Sequence, residues 1–125
     1  MSNITSINHV SVIVSDTSRA LEFYEQVLGL PVDEARPDLG YPGAWLRIAG
    51  QQLHLLELPN PDPVTDRPAH GGRDRHVAFN VDSLDELVSR LEQQNIDYTL
   101  SRSGRRALFC RDPDGNALEF IEQTG

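Results

Sequence analysis

The chain has 125 residues, 38% of them hydrophobic, which is enough for one compact domain and too few for two ordinary ones. Nineteen acidic against 11 basic residues give a net charge of -8, which repels phosphate backbones and anionic membrane surfaces and argues against nucleic acid as a partner. A single cysteine, Cys110, excludes an intrachain disulfide; no apolar run approaches the roughly 20 residues of a membrane span, and the opening Met1-Ser2-Asn3 has no signal-peptide character, so a cytoplasmic setting is expected.

Val10, Val12 and Val14 alternate with His9, Ser11 and Ile13, predicting a strand over Ile7 to Val14 with one all-valine face. Between Asp16 and Leu28 the residues Ala20, Leu21, Phe23, Tyr24, Val27 and Leu28 recur at helical spacing, with Asp16 or Thr17 to cap the start and Gly29 to end it. Strands Ala44 to Ile48 and Gln52 to Leu58 are expected around the turn Ala49-Gly50-Gln51, and a further strand is available within Leu30 to Ala35. Prolines 59, 61, 63 and 68 with Gly71 and Gly72 then make a link that resists regular structure. After it come a strand at Arg75 to Val81, then a helix from Ser83 to about Gln94 with a Ser83-x-x-Glu86 capping box and Leu84, Leu87, Val88 and Leu91 on one face. Strands near Asp97 to Ser101, Arg105 to Arg111 and Ala117 to Glu122 complete the order.

That order repeats because the sequence does. Asn8-His9-Val10-Ser11-Val12 is echoed by Arg75-His76-Val77-Ala78-Phe79, an offset of 67 (76 minus 9), and Gly50 to Glu57 by Gly115 to Glu122, an offset of 65 (119 minus 54). The reading is α+β: a single domain over 1–125 made of two βαβββ modules, about 5–58 and 74–123, joined by the Pro/Gly-rich link 59–73. Neither module covers its own sheet well, so the two are expected to pack into one curled mixed sheet with the histidine-bearing faces turned to a cup-shaped metal site.

His9, His54, His76 and Glu119 fall at matched places of the duplication. Taken singly, each histidine is an ordinary half-buried residue and the glutamate a surface carboxylate; their joint placement argues for ligands of a divalent metal, since imidazole and carboxylate donors suit first-row ions. Small neighbours, Ser11 beside His9 and Ala78 beside His76, leave room for an ion or ligand. His70 reads as an exposed loop residue. Glu57 and Glu122, three residues beyond His54 and Glu119, point by parity away from the ligand face and read as surface or dimer-contact groups. The basic stretch Tyr98 to Arg106 makes Arg105 and Tyr98 candidate contacts to an anionic substrate, against the plainer reading of a solvated hairpin.

Two motifs carry a resemblance over nearly the whole chain, Ile7 to Glu122. They are His9-Val10 followed by Ala20-Leu21-x-Phe23-Tyr24-x-x-Val27-Leu28-Gly29-Leu30, and Arg111-Asp112-Pro113-Asp114-Gly115-Asn116-x-Leu118-Glu119. The sequence resembles the vicinal oxygen chelate superfamily of glyoxalase I, methylmalonyl-CoA epimerase, extradiol dioxygenases, fosfomycin-resistance enzymes and bleomycin-binding proteins. The resemblance implies paired βαβββ modules around a divalent ion, here zinc, nickel, cobalt, manganese or Fe(II), held by His9, His54, His76 and Glu119. His54 departs from the glutamate that glyoxalase I has at that position, which leaves Glu119 as the catalytic base. The expected activity is that of a lyase or isomerase chelating vicinal oxygens of a small anionic substrate. A non-haem Fe(II) ring-cleaving dioxygenase is the alternative if His54 stays off the metal, and a non-catalytic small-molecule binding protein is a third reading. Absence of lysine argues against fosfomycin inactivation. The resemblance also implies a homodimer.

Overall fold

The computed structural model describes residues 2–123. The chain divides between Asn60 and Pro61, inside the proline-rich link, into two compact units.

In the first unit, strand β1 (His9–Val14) is followed by helix α1 (Thr17–Leu21), whose continuation over Glu22–Val27 widens to i→i+5 hydrogen bonding. Leu28 N–H reaches the Phe23 carbonyl at 3.0 Å. The wider turn brings neighbouring side chains closer in azimuth, and both Phe23 and Tyr24, 4% and 0% exposed, are buried from adjacent positions. Strands β2 (Gly43–Ile48) and β3 (Gln51–Glu57) complete a mixed sheet of order β1-β3-β2, with β1 parallel and β2 antiparallel to β3. The strand available at 30–35 forms only the bridge Val32 to Leu46. Pro31 brings no N–H to a ladder, and the Asp33 carboxylate turns back onto the Ala35 N–H at 2.9 Å, which ends the pairing.

In the second unit the link is not featureless: Gly71–Arg73 makes one 3₁₀ turn, with Gly71 buried. Then come β4 (His76–Val81), α2 (Leu84–Gln93), β5 (Tyr98–Leu100), β6 (Ala107–Arg111) and β7 (Ala117–Glu122), in a mixed sheet of order β4-β7-β6-β5. Ser83 caps α2 by accepting from the Glu86 N–H at 3.2 Å. The other half of the expected capping box is absent, because the Glu86 carboxylate pairs with Arg90 at 3.1 Å.

Each sheet therefore has two unlike faces. In the first unit Val10, Val12, Val14, Leu53, Leu55, Ala44 and Leu46 share one face, and all but the half-buried Val10 belong to its core. In the second, half-buried Phe79 shares a face with the buried Leu118, Phe120, Leu108 and Cys110, and Leu84, Leu87 and Leu91 of α2 are buried. The opposite faces carry His9, Ser11, His54 and Trp45 in one unit, and His76, Ala78, Glu119 and Phe109 in the other.

Candidate functional site

The duplication is in register at the atomic level. On central strand β3, His54 lies between Ser11 of β1 and Trp45 of β2; on central strand β7, Glu119 lies between Ala78 of β4 and Phe109 of β6. His9 and His76 stand two residues before Ser11 and Ala78 on the edge strands.

In the first unit His54, 8% exposed, is the middle ring of a three-ring stack. His9 lies 4.0 Å away between ring centroids and Trp45 lies 4.4 Å away, with interplanar angles of 16° and 6°. The His54 Nε2 sits 2.9 Å from the Gln52 Oε1, and the Gln52 amide nitrogen donates to Asp33 Oδ2 at 2.9 Å. A carboxylate only accepts, so the amide orientation is forced, and its oxygen in turn requires the proton of His54 on Nε2. Nδ1 is then the lone-pair nitrogen. Burial, followed by the nearby His9 and the Arg36 charge, lowers the His54 pKa below its ordinary value, so the ring is neutral at pH 7.

In the second unit His76 donates from Nδ1 to the Asp74 carbonyl at 2.9 Å, which leaves Nε2 as its lone-pair nitrogen. That nitrogen faces Glu119 Oε1 at 3.3 Å. Two acceptors at this separation call for a cation between them, either a proton on the ring or a metal ion, and the pair supplies the imidazole and carboxylate donors that a first-row divalent ion takes. Glu119 is buried, with 5% of its side chain exposed, and its Oε2 lies 3.5 Å from Nη2 of the much more exposed Arg105. Asp74 itself is held between Arg67 at 2.9 Å and Arg111 at 2.8 Å. The Arg67 hydrogen bond foremost keeps its carboxyl far below the usual range.

The sequence-derived ligands thus come together in pairs, His9 with His54 and His76 with Glu119. Among the described residues no group of three or more His, Cys, Asp or Glu side chains converges. Arg105 lies beside the Glu119 carboxylate. Tyr98 does not: it pairs with Cys110 on the helix-side face and its hydroxyl donates to Glu92 at 3.0 Å, while its neighbour Thr99, paired with Phe109, is on the Glu119 face. His70 is not a free loop residue, since its Nδ1 meets the Thr99 hydroxyl at 2.8 Å and its ring meets Phe109 edge-on at 4.8 Å. Phe109 makes the same contact with His76 at 5.3 Å. An open groove of about 270 Å³, lined in part by Gly71, Thr99 and Phe109, adjoins these rings.

Glu57 and Glu122, half-buried on the other face, each hold the start of a helix. Glu57 Oε1 accepts from the Thr17 N–H at 2.7 Å and Glu122 Oε1 from the Leu84 N–H at 3.0 Å, each closing the start of its own unit's helix. Asp33, Gln52 and Asp74 were missed in the sequence, because the signal that marks them is tertiary.

The sequence model of the Glyoxalase/Bleomycin resistance protein/Dioxygenase superfamily matches residues 6–120. The chain belongs to this superfamily. Within it, the chain is 36% identical to "Glyoxylase I 4" of Arabidopsis thaliana over 94% of its own length and 71% of that protein's. It is 31% identical to the metallothiol transferase FosB of Shouchella clausii over 97% and 82%. A crystal structure of a putative glyoxalase family protein from Bacillus anthracis superposes with a TM-score of 0.82 at 26% identity, covering 99% of both chains. The mixed α+β architecture, with two small sheets and two helices, is that of the superfamily's vicinal oxygen chelate fold.

Proposed function

We propose that the chain is a divalent-metal-dependent enzyme of the glyoxalase type, a lyase or isomerase acting on a small anionic substrate that presents two neighbouring oxygens. The observation that carries this reading is the His76 Nε2 to Glu119 Oε1 approach of 3.3 Å, with Nδ1 of the same ring tied to the Asp74 carbonyl. His9 and His54, matched to His76 and Glu119 by the duplication, are the further donors proposed. Relatives named as a glyoxylase I and as a metallothiol transferase support a metal-dependent role.

His76 and Glu119 would hold a divalent ion, which would supply Lewis acidity and so acidify a substrate C–H beside the two oxygens. Glu119 is assigned two tasks, donor to the ion and acceptor of that proton. The C–H electron pair stays on the substrate, and the proton returns from the carboxyl to carbon in the product. Arg105, 3.5 Å from the other Glu119 oxygen, balances the buried charge and approaches from solvent, where an anionic substrate arrives. His76 keeps its donor nitrogen forward because its other nitrogen is bonded to backbone.

A second reading is favoured by one observation: His54 already spends Nε2 on Gln52 and has both ring faces covered. If it stays off the ion, the donors proposed from the sequence reduce to His9, His76 and Glu119, two histidines and a carboxylate of the kind suited to Fe(II) and dioxygen.

The deciding experiment measures metal content of protein purified without chelator, then turnover of the loaded wild type and of Glu119→Gln, following C–H exchange in D2O over a panel of small anionic carbonyl compounds. Glu119→Gln should keep metal and lose on the order of 100-fold or more in turnover. Undiminished turnover with metal retained, or a wild type that binds no divalent ion, overturns the reading. Oxygen uptake with catechols after anaerobic ferrous loading would select the dioxygenase.

A further inference from the structure

Arg36 lies in the segment between the first unit's helix and β2, half buried and oddly provided for. Its Nη2 donates to the Tyr41 carbonyl at 2.8 Å, and its guanidinium carbon sits 5.3 Å from the Tyr41 ring centroid. A side chain at Gly43 would meet the Leu55 carbonyl of β3 first and then the same Nη2, at 3.1 Å. Gly43 pairs with Leu56, two residues beyond His54 on β3, so the guanidinium lies against the β2–β3 pair close to His54.

The charge has no answering carboxylate. In a chain with 19 acids against 11 basic residues, six other arginines make ion pairs with Asp or Glu, among them Arg67, Arg105 and Arg111, whereas Arg36 has none among the described residues. Its Nε–H is buried without a hydrogen-bond partner. Buried polar hydrogens are ordinarily satisfied, and a guanidinium with free donors and unneutralised charge is fitted to a carboxylate, which it binds by charge-assisted, fork-like hydrogen bonds.

We propose that Arg36 binds a carboxylate of the substrate on the His54-bearing face of the first unit. This rests on the proposed function, which names His54 as a further metal donor, and it names the group that makes the substrate anionic.

The test is run on chelator-treated, metal-free protein, so that a failure of the metal assignment leaves it readable. Arginine Nε–H resonances are followed by ¹H–¹⁵N NMR during titration with lactate, and with lactamide as the uncharged control. The Arg36 resonance should shift saturably with lactate and stay still with lactamide. Arg36→Gln should weaken lactate binding by about tenfold or more, and Arg36→Lys, which keeps the charge but not the fork, should recover part of it. An Arg36 resonance unmoved by lactate, an equal response to lactamide, or preference for methylphosphonate over lactate overturns the proposal. The wild-type resonance decides even if Arg36→Gln fails to fold.

Discussion

Glu57, at the end of β3, and Thr17, at the start of α1, are 40 residues apart in sequence and joined twice. One carboxylate oxygen takes the Thr17 N–H at 2.7 Å and the Thr17 hydroxyl at 3.0 Å. Glu122 repeats the arrangement on the Leu84 N–H in the second unit. In each unit the strand that ends by capping the helix is also the one that carries His54 or Glu119 on its other face, so the helix start and the candidate donor are fixed by one strand. A carboxylate at a helix N-terminus satisfies a free donor and complements the helix dipole. Glu57→Ala should therefore cost about 1 kcal/mol, read as a lower urea midpoint with unchanged slope. An unchanged midpoint would show that the bond contributes nothing.

The Glu122 cap gives a pH signature. Its carboxyl pKa is lowered, by the Leu84 N–H first and by Arg106 second. A group depressed in the fold contributes stability above its unfolded pKa, about 4.3, and loses it as pH falls through the folded value. Between pH 7 and pH 3 the wild type should lose stability in the acid range more steeply than Glu122→Gln. Parallel curves for the two proteins would refute the assignment.

The Asp33–Gln52–His54 chain predicts a tautomer. ¹⁵N-edited NMR of the imidazoles should show His54 protonated on Nε2 and bare on Nδ1 at neutral pH. Asp33→Asn lets the Gln52 amide turn over, so the fixed tautomer should give way to a mixture. If His54 is a metal donor, affinity should fall by about 10- to 100-fold in that variant, as measured by calorimetry. A wild-type His54 protonated on Nδ1 would contradict the relay.

Asp74 couples link to site. Its carboxylate gathers Arg67 and Arg111, while its backbone carbonyl orients His76. Asp74→Asn should destabilise the second unit by about 2 kcal/mol, since hydrogen bonds to charged groups are worth more than neutral ones. Metal affinity should fall with it, by about tenfold, as the imidazole loses its fixed orientation. Stability loss with affinity untouched would separate the network from the site.

The architecture was legible where periodicity carries the information. Alternation placed β1 and β4 and set their histidines opposite the apolar faces, and the 67-residue offset aligned His9 with His76. Parity also showed that Glu57 and Glu122 leave the ligand face, yet it is silent about what waits on the other side, and there the helix N-termini were waiting. Tyr98 failed for the complementary reason. A basic stretch draws attention to every residue in it, but pairing with Cys110 turns Tyr98 towards Glu92 and gives the site face to Thr99. His70 was misjudged because loop composition says nothing about an aromatic such as Phe109 packing beneath it.

Cys110 offers a final check on the second unit's core. It stands on β6 between Tyr98 and Leu118, on the face beneath α2, and is 4% exposed. Burial foremost, with the Asp112 charge second, pushes its thiol pKa up to about 12. Only the thiolate attacks a disulfide reagent, and at pH 8 a thiol raised this far is almost wholly protonated as well as shielded. The folded protein should leave Ellman's reagent colourless over hours, and one equivalent should react in 6 M guanidinium. Because the thiol is buried within the second unit, the reaction rate in mild urea should follow opening of that unit, and a fast reaction in native buffer would mean that Cys110 is not shielded.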